Sequence, residues 1–457
     1  MLIRFNVSNF LSFETRPEGE SEEFSMIAGK VRSKKEHLYD DGKLKLLKFA
    51  AVYGANAAGK SNLVKALDFM RDVILSGLPD GHTEKYCKIN SDNRKKASYF
   101  EMELLLNGKY YAYGFEVILS QSKFISEWLV ELHSDNTEKT LFARDIVNRN
   151  YKLGEELASN GLKRKLELYA EDIQNDETAL FLSIMNQNKK TLYENYKSAS
   201  ILKDVFLWVR TSLNISYPNQ PISDYSYLAR ADKISEVRRI ISAFGTGITG
   251  FKMRDMQITE ALQGLSNDFK QELLAEIERK KSEVTSDANL KPDNMILRTF
   301  SNMFIITINA NSVECKAIEF CHGKEHTTFT LEEESDGTIR ILDLLEVLLI
   351  DEPRTYVIDE LDRCLHPSLT YKFVETFLQL AAKKTVQLIV TTHESRLMDF
   401  DLLRRDEIWF VNKRVCGSSD IYSLEEYNTR FDQKVDRAYL DGRYGGVPIF
   451  NTIFPVS

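Results

Sequence analysis

The amino-acid sequence predicts an α/β fold whose core comes in two halves, divided by a mainly helical insertion. Three observations predict it. The apolar run Phe49 to Tyr53 leads directly into a loop of glycine and alanine and then into a helix-forming stretch. A second apolar run, Tyr356 to Ile358, ends in the acid pair Asp359-Glu360. Between the two lies a long tract of helix formers with apolar residues at three- and four-residue steps.

Taken in order, the strands begin with the alternating run Ile3 to Val7, followed by Glu23 to Ile27 and Phe49 to Tyr53. Tyr99 to Leu106 and Tyr110 to Leu119 flank Asn107-Gly108, a two-residue hairpin signal because both residues tolerate the positive φ such a turn needs. Ser126 to His133 closes this first lobe, expected over residues 1–133. Residues 134–299 form the mainly helical insertion, carried by stretches such as LKRKLELYAEDI and DFKQELLAEIERKKSEV. The last lobe, 300–457, opens on strands Met303 to Ile308 and Cys315 to Phe320 and continues as an α/β pattern: strand Tyr356 to Ile358, helix Leu369 to Leu380, strand Val386 to Thr391. No internal repeat or low-complexity tract interrupts it.

Composition narrows the class. The chain has 457 residues, 43% hydrophobic and 28% charged, which suits two or three globular domains. It contains no run approaching the roughly 18 uninterrupted apolar residues of a membrane span, and its start, MLIRFNVSNFLSF, does not read as a secretory leader. A cytoplasmic protein without a membrane partner is expected. The five cysteines, Cys87, Cys315, Cys321, Cys364 and Cys416, are odd in number and lack C-x-x-C spacing, so reduced thiols are expected. Cys315, Cys321, His322 and His326 lie close in sequence but match no zinc spacing, so they read as buried thiols and surface imidazoles. A net charge of −8 gives no general pull on nucleic acid, and the basic runs Arg94 to Lys96 and Arg279 to Lys281 read as solvated charges.

The chemistry sits in two loops. In AVYGANAAGKSNL, Gly54, Gly59, Lys60 and Ser61 satisfy G-x-x-x-x-G-K-[ST], with Ala55, Asn56, Ala57 and Ala58 between and Asn62 after. Small residues let the backbone N–H groups curl around a phosphate without Cβ clashes. Lys60 supplies a charge for the outer phosphates, the Ser61 hydroxyl suits Mg²⁺, and a helix over Ser61 to Met70 aims its positive end at the nucleotide. ATP with Mg²⁺ is the expected ligand. A chance glycine loop before a surface helix is the other reading. In RTYVIDELDRCLHP, Asp359 would hold Mg²⁺, directly or through water, and Glu360 would orient and deprotonate the attacking water. A solvated acidic turn is the bland alternative there.

Such separation of the two loops along the chain resembles ABC-type ATPase heads, especially the SMC, RecF and OLD-like branch, in which an N-terminal and a C-terminal lobe close around a helical arm. The resemblance extends to LEEESDGTIRILDLLEVLL, where Ser335, Asp336 and Gly337 precede a helix carrying Ile339, Leu342, Leu345 and Val347. It implies that Ser335 and Gly337 belong to a signature loop touching the γ-phosphate held by the opposite subunit, although S-D-G-T replaces the usual L-S-G-G-Q. A serine, a glycine and a helix N-terminus make an anion site, with Thr338 and Arg340 nearby; an ordinary N-cap at Ser335 or Asp336 is the competing account. His366-Pro367 falls in the D-loop position, and His393, after the strand VQLIVTTHE, takes the role of γ-phosphate sensor by resemblance. The family's Q-loop glutamine is not assigned; Gln121 and Gln187 are available.

SNFLSF, GANAAGKSNL, ESDGTIRILDLL, VIDELDRCLHP, TTHE, RRDEIWFV and VDRAYLDGRYGGVP together resemble the AbiLii-like ATPases of abortive infection, relatives of the OLD and RecF ATPases, over residues 1 to about 133 and about 300 to 457. The resemblance implies the sensor or regulator of a prokaryotic anti-phage system. It further implies a homodimer or higher oligomer with ATP at the interface, a nucleic-acid or phage component as trigger, and a separately encoded effector such as a TOPRIM-type nuclease. The stretch after Trp409 is too short for the nuclease domain fused to OLD proteins. Two other functions remain open: a RecF/SMC-like DNA-repair ATPase that binds DNA ends, and a scaffold that binds ATP without hydrolysing it. The tail from Leu440 to Val447 reads equally as a partner-binding turn or as a terminal turn packed on the core.

Overall fold

The computed structural model describes residues 1–16, 19–133, 135, 137–158, 161–173, 176–222, 225–230, 234–286, 293–323, 327–427 and 435–447. The chain divides into two compact units, Met1–Pro218 with Asp351–Leu361 and Leu378–Ser457, and Asn219–Ile350 with Asp362–Phe377. These are not the three consecutive segments expected from the sequence. The insertion tract contributes to both units, and so does the last lobe.

The first unit holds two sheets. One is mainly parallel and six-stranded, built from β1 (Phe49–Tyr53), β2 (Leu213–Ser216), β3 (Arg354–Ile358), β4 (Val386–Thr391), β5 (Ile408–Lys413) and β6 (Ser419–Ser423). Their spatial order is β2-β3-β4-β1-β5-β6, with only the β5–β6 pair antiparallel. All five residues of β1 and all six of β4 are buried, as expected of central parallel strands covered on both faces. The second sheet is antiparallel and seven-stranded, in the order Asn150–Leu153, Glu138–Asp145, Lys123–Leu132, Lys109–Ile118, Ser98–Leu106, Leu2–Ser8, Glu22–Ser25. Its central hairpin turns at Asn107 and Gly108, whose φ values of 51° and 75° are those the dipeptide predicted.

Helix α1 (Lys60–Ser76) packs between these sheets. One apolar cluster joins Leu63, Leu67, Met70 and Val73 of the helix to Val52, Trp409 and Val411 of the parallel sheet and to Phe5, Phe100, Met102 and Phe115 of the antiparallel one. The helix runs further than the predicted stretch because its buried positions continue through Val73 and Ile74. Polar groups also tie the layers. Gln387 of β4, fully buried, accepts from Leu2 N (2.7 Å) and the Thr355 hydroxyl (3.0 Å) and donates to Leu2 O (2.9 Å) and Leu47 O (3.1 Å).

Strands occur within 134–299, where helix was expected to dominate: Glu138–Asp145, Asn150–Leu153, β2, Ile248–Met256 and Asp293–Arg298. Each is drawn into a sheet by partners distant in sequence, which local propensity does not encode. In the second unit, Ile248–Met256, Val313–His322, Met303–Ile308 and Asp293–Arg298 form an antiparallel sheet in that order, with Thr327–Phe329 added to Val313–His322. Helix Asn267–Ser286 covers one face through Leu273 and Ile277 against Phe304, Ile306 and Ala317. The same unit contains α2 (Asp336–Leu349). Helix α3 (Pro367–Ala381) starts at the proline, whose missing N–H costs nothing at a first turn.

Candidate nucleotide-binding site

Parallel pairing brings the C-terminal ends of β1, β3 and β4 to one edge of the sheet. Register pairs Ile358 with Val390 and Thr391 with Val52, so the loop after β1 and the acids after β3 leave the sheet at the same level. They are separated only by β4, a lateral distance of roughly 10 Å, two strand spacings. Lys60, Ser61, Asp359, Glu360 and His393 therefore share one edge of the first unit.

The loop from Gly54 to Ser61 is shaped by its small residues. Ala57 has φ 61° and Gly59 φ 121°. A Cβ at Gly54 would lie 2.4 Å from Val411 O, and one at Gly59 would lie 2.6 Å from Ser419 Oγ and 2.9 Å from Ser12 Oγ, so neither position accepts a side chain. Around this cradle, Ser419 Oγ donates to Ala58 O (2.5 Å), Asn62 Nδ2 donates to Ser12 Oγ (2.8 Å), and Ser419 N donates to Ser12 O (2.8 Å). Lys60 is buried, with Nζ donating to Gly54 O (2.7 Å) and Ala55 O (3.3 Å), which closes the loop on itself. Ala55 is half-buried, and Asn56 and Ala57 are exposed at the loop's tip. Ser61, in the first turn of α1, is half-buried.

The acids are held as firmly. Asp359 is 3% exposed; its N–H donates to Ser216 O of β2 (2.9 Å), and its carboxylate accepts the Thr391 hydroxyl (2.5 Å). The same Thr391 oxygen accepts Glu360 N–H (2.8 Å). Glu360 sits at φ 52°, a left-handed backbone uncommon for a non-glycine residue, and Leu361 N–H returns to Thr391 O (3.0 Å). One threonine hydroxyl thus bonds both the Asp359 carboxylate and the Glu360 backbone. Within electrostatic reach of Asp359, Tyr217, just past β2, donates to Asp68 of α1 (2.8 Å). Burial raises the Asp68 carboxyl, and burial together with Asp68 and Asp359 drives the Tyr217 phenol upward. His393 is exposed beyond the end of β4.

These groups fit a nucleoside triphosphate and a divalent cation. The cradle is one that a Cβ would fill, the Ser61 hydroxyl and the Asp359 carboxylate are hard oxygen donors, and the N-terminus of α1 faces the loop. Bound there, Mg²⁺ would offset charge developing on the phosphate oxygens.

Ser335 and Gly337 belong to the second unit. Ser335 Oγ accepts Thr338 N–H (3.1 Å) and pairs with Thr338 Oγ1 (2.9 Å), so the ordinary N-cap is present. A Cβ at Gly337 would lie 2.9 Å from Cys364 O, which explains a glycine at this position. Arg340, expected near the loop, lies in α2 and is buried there, where desolvation lowers its pKa. Nearby, Asp343 bonds Tyr225 and Arg298 in a buried cluster. The thiols of Cys315 and Cys321 are buried, His322 bonds Glu334 (2.6 Å), and no metal cluster exists among the described residues; His326 lies outside them.

Gln121 ends the turn before Lys123–Leu132, and Gln187 follows helix Phe181–Met185, whose Ser183 donates to Ile74 O at the far end of α1. The sequence reading missed β2, the strand beside β3, and Tyr217 just past it. LNIS is too short and too polar to register as a strand. It also missed the bracing by Ser12 and Ser419 and the clamp by Thr391, although SNFLSF and TTHE contain two of those residues.

A family model described as "AAA domain, putative AbiEii toxin, Type IV TA system" matches residues 49–399, from the first residue of β1 to just past His393. No curated protein matches the chain. Among solved structures the chain is similar to an SMC head bound to the C-winged helix domain of ScpA, at 14% identity, 93% of this chain, 99% of that one and a TM-score of 0.40. An SMC head domain from Thermotoga maritima gives 14%, 92%, 98% and 0.32. An Smc head with an extended coiled coil, bound to the C-terminal domain of ScpA derived from Pyrococcus furiosus, gives 16%, 93%, 97% and 0.39.

Proposed function

Because the chain belongs to this AAA family and has an α/β P-loop ATPase fold, we propose that it hydrolyses ATP with Mg²⁺ and uses the cycle to regulate a prokaryotic anti-phage response. The observation that carries the ATPase reading is the Thr391 clamp on Asp359 and Glu360, at the sheet edge where the glycine loop also emerges. In this reading the loop amides and Lys60 bind the phosphates, and Ser61 and Asp359 hold Mg²⁺. Glu360 orients the water and takes its proton, and His393 meets the γ-phosphate. Ser335 and Gly337 of a second copy complete the site, so ATP joins two chains and hydrolysis releases them. The family's description as a putative toxin of a toxin–antitoxin system supports a defence role; the separately encoded effector rests on the resemblance read from the sequence. No helix among the described residues is long and apolar enough to cross a membrane, and all five cysteines are free, which supports a cytoplasmic setting.

Phosphate release from MgATP tests the chemistry. Lys60→Ala and Glu360→Gln should each lower turnover by about 100-fold or more, and Glu360→Gln with ATP should elute as a dimer. Turnover that persists unchanged in both variants overturns the assignment. In cells carrying the chain with its neighbouring reading frame, Lys60→Ala should restore phage plating. Full protection by that variant removes the link between ATP and defence, absence of protection by the wild type removes the defence role, and salt-sensitive binding of DNA ends by the purified chain alone would favour a repair ATPase instead.

A further inference from the structure

We propose that the C-terminal segment from Tyr439 to Gly446 braces the phosphate-binding loop and sets its affinity for nucleotide; the proposal rests on the ATPase reading above. The segment follows the short helix α4 (Val435–Leu440). Gly446 has φ 68°, and a Cβ on it would lie 3.4 Å from Gly54 Cα, 3.6 Å from Tyr439 Cε2 and 3.7 Å from Val411 O. The tail backbone therefore packs directly on the first glycine of the loop, which already abuts Val411 O of β5.

Specific bonds fix that contact. Gly446 N donates to Asn412 Oδ1 (3.1 Å), Tyr439 Oη donates to Gly446 O (2.9 Å), and Tyr422 Oη donates to Tyr444 O (2.5 Å). Phe410 stacks on Tyr439 at 5.6 Å and 23° and on Tyr444 at 5.9 Å and 22°. Tyr53, the residue before Gly54, lies 5.9 Å from Tyr439, and its hydroxyl donates to Glu394 O (3.4 Å), beside His393. One aromatic layer thus spans the tail, the last residue of β1 and the chain next to His393. A loop whose amides must all point at one phosphate binds tightly only if its backbone is held before the ligand arrives. Gly446 and Tyr439 are positioning residues in that sense: they act through Gly54 and touch no substrate.

Gly446→Val would press a branched side chain against Gly54 and Tyr439. Measured with mant-ATP and Mg²⁺ well below the melting temperature, its Kd should rise about tenfold or more. Tyr439→Phe, which keeps the ring and loses only the bond to Gly446 O, should raise Kd about three- to fivefold, and it keeps the proposal testable if the valine variant fails to fold. Coupling is reciprocal, so MgATP should slow tryptic cleavage after the exposed Arg443, followed by mass spectrometry, several-fold in the wild type and not in Lys60→Ala. A tail that serves packing alone would lower the melting temperature of both variants and leave Kd and the Arg443 cleavage rate unmoved, and that result overturns the brace. If the wild type binds no mant-ATP, the nucleotide reading itself has failed. If it binds and the variants bind equally well, only the brace has.

Discussion

Replacing Thr391 by Val deletes one hydroxyl and keeps a β-branched side chain in a buried parallel strand, so the perturbation is confined to two hydrogen bonds. The bond to Asp359 Oδ1, at 2.5 Å, is charge-assisted and is worth about 2 kcal/mol. The other, from Glu360 N–H at 2.8 Å, adds about 1 kcal/mol, since that part-buried donor loses its acceptor. Loss of both should lower unfolding stability by about 3 kcal/mol. That is a large share of the roughly 5–15 kcal/mol of a typical domain. ATP turnover should fall as well. On the proposed ATPase reading, an Asp359 carboxylate free to rotate would no longer present one oxygen to Mg²⁺, and each 1.4 kcal/mol of lost alignment is about tenfold in rate. Urea titration gives the stability change, read as a shifted midpoint at constant slope. Turnover measured against Mg²⁺ concentration gives the second effect, as a higher Mg²⁺ requirement. Thr391→Ser, which keeps the hydroxyl, should stay near the wild type in both. If Thr391→Val lies within about 0.5 kcal/mol of wild type with the same Mg²⁺ dependence, Thr391 does not orient the acids.

Gln387→Leu should cost about 3–5 kcal/mol, because Leu2 N, Leu2 O, Leu47 O and the Thr355 hydroxyl all lose a buried partner; a midpoint shift under 1 kcal/mol in chemical denaturation would show that these groups find others. Glu103, paired with Arg4 at 3.5 Å, has its pKa pushed by burial from the ordinary 4.5 to about 7. The folded state therefore keeps a proton that the unfolded chain releases between those values, so this contribution is full below pH 4.5 and is lost as pH rises through 7. Glu103→Gln should flatten stability between pH 5 and 8 and raise it at pH 8 by about 2 kcal/mol, allowing for partial solvation of the group. Parallel pH–stability curves for the two proteins would refute this.

Legibility differed sharply between loops and sheets. The hairpin at Asn107-Gly108, strand Phe49–Tyr53 and strand Val386–Thr391 stand where the sequence puts them. Turn residues and unbroken buried runs state their own conformation. Leu213–Ser216 was invisible, because a four-residue segment becomes a strand only through Thr355–Ile358 beside it. The apolar runs Met303 to Ile308 and Cys315 to Phe320 read as strands, yet nothing in them states that they pair with each other and with Ile248–Met256 in a separate unit. Ser335 shows the limit from the other side. The serine ahead of a helix was legible, and the structure gives it a bond to Thr338 N–H, a contact any N-cap would make.

The sequence by itself determined the short-range features: a glycine loop that can wrap an anion, a lysine and a serine at a helix start, and two acids at the end of an apolar strand. Backbone freedom and side-chain type suffice for these, since each is decided within a few neighbouring residues. Only the tertiary structure decided that β4 lies between the strands bearing the loop and the acids, that one Thr391 hydroxyl bonds the Asp359 carboxylate and the Glu360 N–H, and that Gly446 rests on Gly54. Strand order and register come from the summed burial and pairing of segments hundreds of residues apart, and no local pattern carries that sum.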